Sequence, residues 1–101
     1  MLTKKYLKTA EECEVTFELE REGVQEAALV CETNEWRPVA MKQPKKGGAF
    51  RAKVRLPKNG QFQFRYLLDG NVWENDEAAD AYWPNEFGSD NSVVDTTPSQ
   101  N

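Results

Sequence analysis

Apolar and polar residues alternate one for one through separate stretches of this chain, and that period of two restricts its fold more than any other feature. In the first stretch Val15, Phe17 and Leu19 take one face, with Glu14, Thr16, Glu18 and Glu20 on the other. In the second, Phe50, Ala52, Val54 and Leu56 alternate with Arg51, Lys53 and Arg55. In a third, Phe62, Phe64, Tyr66 and Leu68 oppose Gln61, Gln63, Arg65 and Leu67. Successive side chains of a strand point to opposite faces, so each stretch predicts a strand with one dry face. Nowhere does the three-to-four-residue apolar spacing of an amphipathic helix persist for a useful length.

Turn chemistry punctuates these strands. Gly23 ends the first run and Ala27 to Cys31 resumes an apolar segment, which predicts a hairpin around Arg21 to Val24 with Cys13 roughly opposite Cys31. Pro57-Lys58-Asn59-Gly60 predicts a second hairpin, joining the Phe50 strand to the Phe62 strand through positive φ at Asn and Gly. Asp69-Gly70-Asn71 closes that strand onto a short return at Val72 to Glu74. Between them lie a polar loop over Glu32 to Pro38 and a short apolar touch at Val39 and Met41. Asn75 to Asp90 lacks a period and is expected to be an ordered loop with one helical turn at Glu77 to Ala81, before a closing strand at Ser92 to Asp95. The sum is an all-β fold, an antiparallel β-sandwich of about seven strands. Its expected extents are an N-terminal arm over 1–12, the sandwich over 13–95 and a frayed tail over 96–101. Phe17, Leu29, Phe50, Val54, Phe62, Phe64, Tyr66 and Val93 form its expected core.

Charge and residue usage exclude several functions. The net charge of −4 opposes a nucleic-acid partner, because an extended phosphate contact needs clustered Lys and Arg. Lys4, Lys5 and Lys8, with Lys42, Lys45 and Lys46, fall in a terminus and a loop, where a solvated face accounts for them. No apolar run reaches the ~20 residues of a membrane span. The first ten residues lack a signal peptide's apolar core, so a cytoplasmic location and no membrane partner are expected. Two cysteines without metal-ligand spacing, and no histidine, argue for reduced thiols, no metal and no cofactor. Asp69, Glu74, Asp76, Glu77 and Asp80 raise glycoside hydrolysis and calcium binding as candidates. Their spacing does not follow a calcium loop, and a solvated acidic loop is the simpler account. No Ser or Cys has a partner base, so no catalytic residue is expected and the chain is not expected to be an enzyme.

The aromatic residues carry more. Trp36 and Trp73 lie in polar, turn-like surroundings, off the core periodicity of the phenylalanines. An indole face matches the C–H face of a pyranose ring, and such stacking can hold a neutral sugar. The competing account makes both tryptophans caps on the sandwich edge. Arg65, Ser89 and Asn91 can supply hydrogen bonds to hydroxyls around such platforms, although Arg65 can equally be a solvated strand residue and Asn91 can serve local turn backbone.

Phe64-Arg65-Tyr66-Leu67-Leu68-Asp69-Gly70 with Trp73-Glu74-Asn75-Asp76, then Ala79-Asp80-Ala81-Tyr82, Pro84-Asn85, Phe87-Gly88 and Asp90-Asn91-Ser92-Val93-Val94, resemble the isoamylase early-set domain, carbohydrate-binding module family 48. That family includes the glycogen-binding domain of the AMP-activated protein kinase β subunit, and its stand-alone bacterial type is similar to this chain nearly end to end. The resemblance implies an immunoglobulin-like (early-set) sandwich and an α-1,4-glucan ligand, glycogen or a maltooligosaccharide. It matches Trp36 and Trp73 to the two sugar-stacking tryptophans, Arg65 to a basic strand residue, and Phe87, Ser89 and Asn91 to a loop giving one apolar and two polar contacts. Trp83 has no counterpart in the pattern and is either an added platform or a core lid. The alternative is an early-set interaction module that has lost sugar binding and docks on a glycogen-metabolism enzyme. Because the acidic run lacks a closed ligand set, EDTA should leave the melting temperature unchanged, and a fall of several degrees in a thermal melt would contradict that expectation.

Overall fold

A computed structural model describes residues 1–98 of the chain. Among the described residues nine strands follow one another: β1 (Leu2–Tyr6), β2 (Glu12–Leu19), β3 (Ala27–Cys31), β4 (Pro38–Ala40), β5 (Phe50–Pro57), β6 (Gln61–Leu68), β7 (Val72–Glu74), β8 (Ala81–Pro84) and β9 (Asp90–Asp95). A single 3-10 turn at Glu32–Asn34 follows β3. No helix among the described residues is long and apolar enough to cross a membrane. The strands form an antiparallel, immunoglobulin-like sandwich, with β1-β2-β5 as the smaller sheet and β4-β3-β6-β9-β8 as the larger. Strand β7 pairs with the C-terminal half of β6, on the side that β9 occupies along the N-terminal half.

The alternating residues face one another across the two sheets. Val15, Phe17 and Leu19 of β2 pack with Phe50 and Leu56 of β5 against Leu29, Phe64, Tyr66 and Leu68 of the larger sheet. The Phe17 ring meets Phe64 edge-on, centroids 4.9 Å apart, and Phe64 meets Tyr66 the same way at 5.6 Å. Val54 and Phe62 are half-buried against the rim of this cluster.

Both predicted hairpins prove to be crossovers. β2 pairs with β1 and β5, β3 pairs with β4 and β6, and the Pro57–Gly60 turn likewise carries the chain from one sheet to the other. Only Asn59 there takes positive φ, at 61°, while Gly60 lies under the Phe62 ring, where an added Cβ would stand 2.5 Å from a ring carbon. A period of two fixes which face a strand buries and is silent about its neighbour. Cys13 and Cys31 accordingly sit in different sheets, each buried as a free thiol.

Other expectations also need correction. The N-terminal arm supplies β1, the expected helical turn at Glu77 to Ala81 is non-helical turn and bend up to Asp80, and Ala81–Pro84, within the expected loop, is strand. Val93 is buried but pairs with Gln63, on the outer face of the larger sheet, and Val94 takes the core position opposite Phe62. Thr96, assigned to a frayed tail, is fully buried. Its Oγ1 donates to the Pro57 carbonyl at 2.6 Å and accepts from the Gly60 N–H at 3.0 Å, tying the crossover to the end of β9. The rest of that tail, 99–101, lies outside the described residues.

Phe64→Ala should cost about 3 to 5 kcal/mol in urea unfolding, as large-to-small core changes do. Thr96→Val should cost about 1 to 3 kcal/mol by orphaning the Gly60 N–H, and a neutral Thr96→Val would return this residue to the tail.

Candidate functional site

The outer face of the larger sheet is where the singled-out residues converge. Arg65 pairs with Val30 across β6 and β3, and Trp73 pairs with Leu67 two residues further along β6, so both side chains rise on the solvent side. The Arg65 guanidinium carbon stands 5.7 Å from the centre of the Trp73 ring, within cation–π range. Arg65 makes no ion pair among the described residues, and its buried Nε has no hydrogen-bond partner. Trp73 is half exposed.

Trp36 reaches the same face through an unusual backbone. After the 3-10 turn, Glu35 and Trp36 both adopt left-handed φ, 57° and 60°, a region that penalises a bulky side chain. Hydrogen bonds hold the path: Glu35 N–H to the Glu32 carbonyl at 3.1 Å, Trp36 N–H to Cys31 at 3.0 Å and Arg37 N–H to Asn34 at 3.1 Å. The indole that results is 43% exposed, so the strain serves presentation rather than burial.

The third wall is the β8–β9 connection, organised by Asn85. Its Oδ1 accepts the Phe87 N–H at 2.9 Å and the Ser89 N–H at 3.2 Å, and Gly88 turns the chain with φ 82°. Phe87 is thereby held at the tip with 84% of its surface in solvent, too exposed for any packing role in the isolated chain.

An open groove of about 780 Å³ lies between these walls. A row of planar side chains crosses its floor. Asn85 Nδ2 donates to Asn91 Oδ1 at 3.1 Å, Asn91 Nδ2 to Gln63 Oε1 at 3.0 Å, and Gln63 Nε2 to Glu32 Oε2 at 3.3 Å. Asn91 and Gln63 each keep a second N–H and a spare lone pair for a ligand, whereas Asn85 spends both N–H groups on Ser89 and Asn91 and its oxygen on the loop backbone. One cation, Arg65, and two carboxylates, Glu32 and Glu86, line the space, so no strong charge of one sign selects an ionic ligand.

Of the six residues predicted from sequence, Trp36, Arg65, Trp73, Phe87 and Asn91 line this groove. Ser89 does not, and its Oγ instead lies 3.0 Å from Asn85 Nδ2. Gln63 and Glu32 were missed, although Gln63 shares the outward parity of Arg65 and was open to the same reasoning. Trp83, opposite Asn91 on β8, is half-buried outside the groove.

Of the acidic run, Asp69, Glu77 and Asp80 are exposed as a solvated loop requires, and Asp76 is the exception. Asp76 is 1% exposed, accepts the Tyr66 hydroxyl at 2.7 Å and the Ala78 N–H at 2.7 Å, and its own N–H donates to Ser92 Oγ at 2.9 Å. Tyr82 donates to its backbone carbonyl. Asp69 accepts the N–H groups of Gln25 and Glu26, Asp80 pairs with Lys4 at 2.7 Å, and Glu74 and Glu77 share Arg21. No group of three or more metal-ligating side chains is gathered among the described residues.

No protein-family model matches the chain, and no curated protein does. Among solved structures it is similar to the enterobactin esterase FES from Shigella flexneri, crystallised in the presence of 2,3-di-hydroxy-N-benzoyl-serine. The TM-score is 0.76 at 12% identity over 98% of this chain. This chain spans only about a third, 34%, of that structure's length. At that identity the likeness establishes a shared fold.

Burial, with the hydrogen bond to Asp76, raises the Tyr66 hydroxyl far above the ordinary tyrosine value. The unfolded chain releases this proton near pH 10 and the folded chain does not, so stability is level below that pH and falls as pH rises beyond it. Tyr66→Phe should lose about 1 to 2 kcal/mol at pH 7 and lessen the fall above pH 10, read from urea unfolding at pH 7 and pH 11. Tyr6 and Cys13, raised chiefly by burial, keep a residual slope of the same sign.

Proposed function

We propose that the chain is a non-catalytic module that binds an α-1,4-glucan such as glycogen or a maltooligosaccharide across the outer groove. The observation that carries this reading is Trp36. A tryptophan on left-handed backbone, 43% exposed, beside a polar floor, is costly to the folded chain and useful to a flat, neutral ligand. Pyranose rings would stack on Trp36 and Trp73, with Phe87 closing over an apolar sugar face. Arg65, through its free N–H groups, and Asn91, through its second amide proton, would donate to ring hydroxyls. The near-balanced charge of the lining suits a polymer without charge. The likeness in sequence to early-set domains supports the same ligand. Affinity on the order of 10 μM to 1 mM follows, since few stacked rings must offset the ordering of flexible glycosidic bonds.

A second reading takes support from the esterase likeness, in which this fold occupies a third of a longer chain that carries an esterase's name. There the sandwich would dock on a partner enzyme, and the aromatic groove would be its contact. In that reading maltoheptaose leaves the Trp36 and Trp73 resonances in place and the partner protein shifts them, which separates the two.

Titration of isotope-labelled protein with maltoheptaose should shift the Trp36, Trp73 and Arg65 resonances. Trp36→Ala and Trp73→Ala should each weaken binding by roughly 1.5 to 3 kcal/mol while melting changes little. Trp36→Gly sharpens the test: relief of the left-handed strain should hold or raise stability by up to about 1 kcal/mol while affinity is lost. Loss of stability of about 3 to 5 kcal/mol would make the tryptophans caps on the sandwich. Wild-type protein indifferent to millimolar maltoheptaose would end the glucan reading.

A further inference from the structure

Strand β5 is the outermost strand of the smaller sheet, with β2 on one side and no strand on the other. Its free edge is already primed at one end. Arg51 exchanges both backbone hydrogen bonds with Lys42, each 2.8 Å, on the side away from β2. In an antiparallel ladder the backbone groups that point to one side recur every second residue. Lys53 and Arg55 therefore present their N–H and C=O groups outward, in line with the Lys42 bridge and with no backbone partner among the described residues.

The two faces of this edge differ in chemistry. Side chains of Arg51, Lys53 and Arg55 lie on the solvent face of the sheet, and among the described residues Lys53 and Lys42 take no ion pair. Beneath the edge, toward the interior, a cleft of about 600 Å³ opens between β5 and β4. Leu29, Val39, Val54 and Leu56 line it, and Val39 is 37% exposed. A strand added along β5 would place the residues opposite Lys53 and Arg55 among basic heads and those opposite Val54 over the apolar cleft.

We infer that the β5 edge is a docking site for an extended partner segment in which acidic residues alternate with apolar ones, added as a fourth strand to the smaller sheet. Charge complementarity names the occupant: Arg51 and Arg55 pair with Glu18 and Glu12 of β2, and Lys53 and Lys42, without an ion pair among the described residues, remain to meet acidic side chains on a chain whose net charge is −4. The same charges keep two copies apart, because edge-to-edge pairing would set Lys53 and Arg55 against their own kind. Pro57 ends the available edge, having no N–H to offer.

The test uses the whole chain and two capped hexapeptides, one alternating glutamate with valine and the other lysine with valine. The glutamate peptide should bind with a dissociation constant on the order of 100 μM to 1 mM, weakening with added salt, and the lysine peptide should not. On binding, the Lys53 and Arg55 amide protons should exchange more slowly and their resonances shift, while Trp36 and Trp73 stay unmoved. Lys53→Pro removes one outward N–H without touching the β2 ladder and should weaken the glutamate peptide about tenfold or more. Lys53→Glu should reverse the preference between the peptides, and the amide-exchange readout on unaltered protein needs no variant to fold. The proposal is overturned if neither peptide binds at millimolar concentration, if both bind alike, or if Lys53→Pro binds unchanged. It is equally overturned if the shifts fall on the tryptophan face, or if the chain dimerises through β5.

Discussion

A buried carboxylate, Asp76, holds together the parts of the larger sheet that strand pairing alone would leave loose. Removing an ionised group from water costs several kcal/mol unless its lone pairs are met. Here they are met by the Met1 ammonium at 2.5 Å, by the Tyr66 hydroxyl from the centre of β6 and by the Ala78 N–H, while the Asp76 backbone reaches Ser92 on β9 and Tyr82 on β8. Four elements thus meet at one residue on the inner face of the sheet. Strand β8 makes only a four-residue pairing with β9, and β7 only three pairs with β6. Without the Asp76 cluster, each would be a short edge free to fray.

The consequence appears on the opposite face. Tyr66 points inward and its neighbour Arg65 outward, so fixing one fixes the other. The segment pinned by Asp76 follows Trp73 directly and leads through β8 to Asn85, whose hydrogen bonds set Phe87 in place. Two walls of the groove are therefore positioned from inside the sandwich, and the third, Trp36, from its own turn. Arg65 and Trp73, which line the groove, and Tyr66 and Asp76, which help to position them, thus lie on different faces of one sheet, linked by its period of two.

How much of this was legible follows from what alternation can encode. The faces of β2, β5 and β6 were, and with them Phe17, Phe50, Phe64 and Tyr66, because each strand has one wet face. Strand β9 was read one residue out because Asn91 through Val94 are all buried, and a strand covered on both faces shows no alternation to register it. Strand β1 escaped because Lys4 occupies an inward-facing position, its ammonium reaching Asp80 at the open edge. Both crossovers resembled hairpins since Gly and Asn permit a reversal whether the chain returns within a sheet or passes to the other. Asp76 looked like one acid among several; its burial depends on Tyr66 and Ser92, ten and sixteen residues away, and no local pattern records that. Among the site residues, polar surroundings picked out Trp36 and Trp73 and the resemblance added Phe87, while Gln63, legible by its outward parity, and Glu32 take their place through a hydrogen-bonded row.

Trp36 shows why a site of this kind rests on the stability of the whole. Two successive non-glycine residues in the left-handed region cost of order 1 to 3 kcal/mol each. The local hydrogen bonds to Cys31, Glu32 and Asn34 shape the turn, but equivalent bonds were available to a chain with glycine at either position. The strain must therefore be offset by the core, through β3, whose Leu29 and Cys31 are locked between the sheets immediately before the turn begins. A domain of this size has only several kcal/mol of net stability to spare. Retaining a half-exposed indole on strained backbone uses a sizeable share of it, and burial of the indole in the isolated chain returns only part. On the proposed reading, a flat sugar face covering that ring would recover what remains, so the backbone strain and the proposed ligand meet at the same residue.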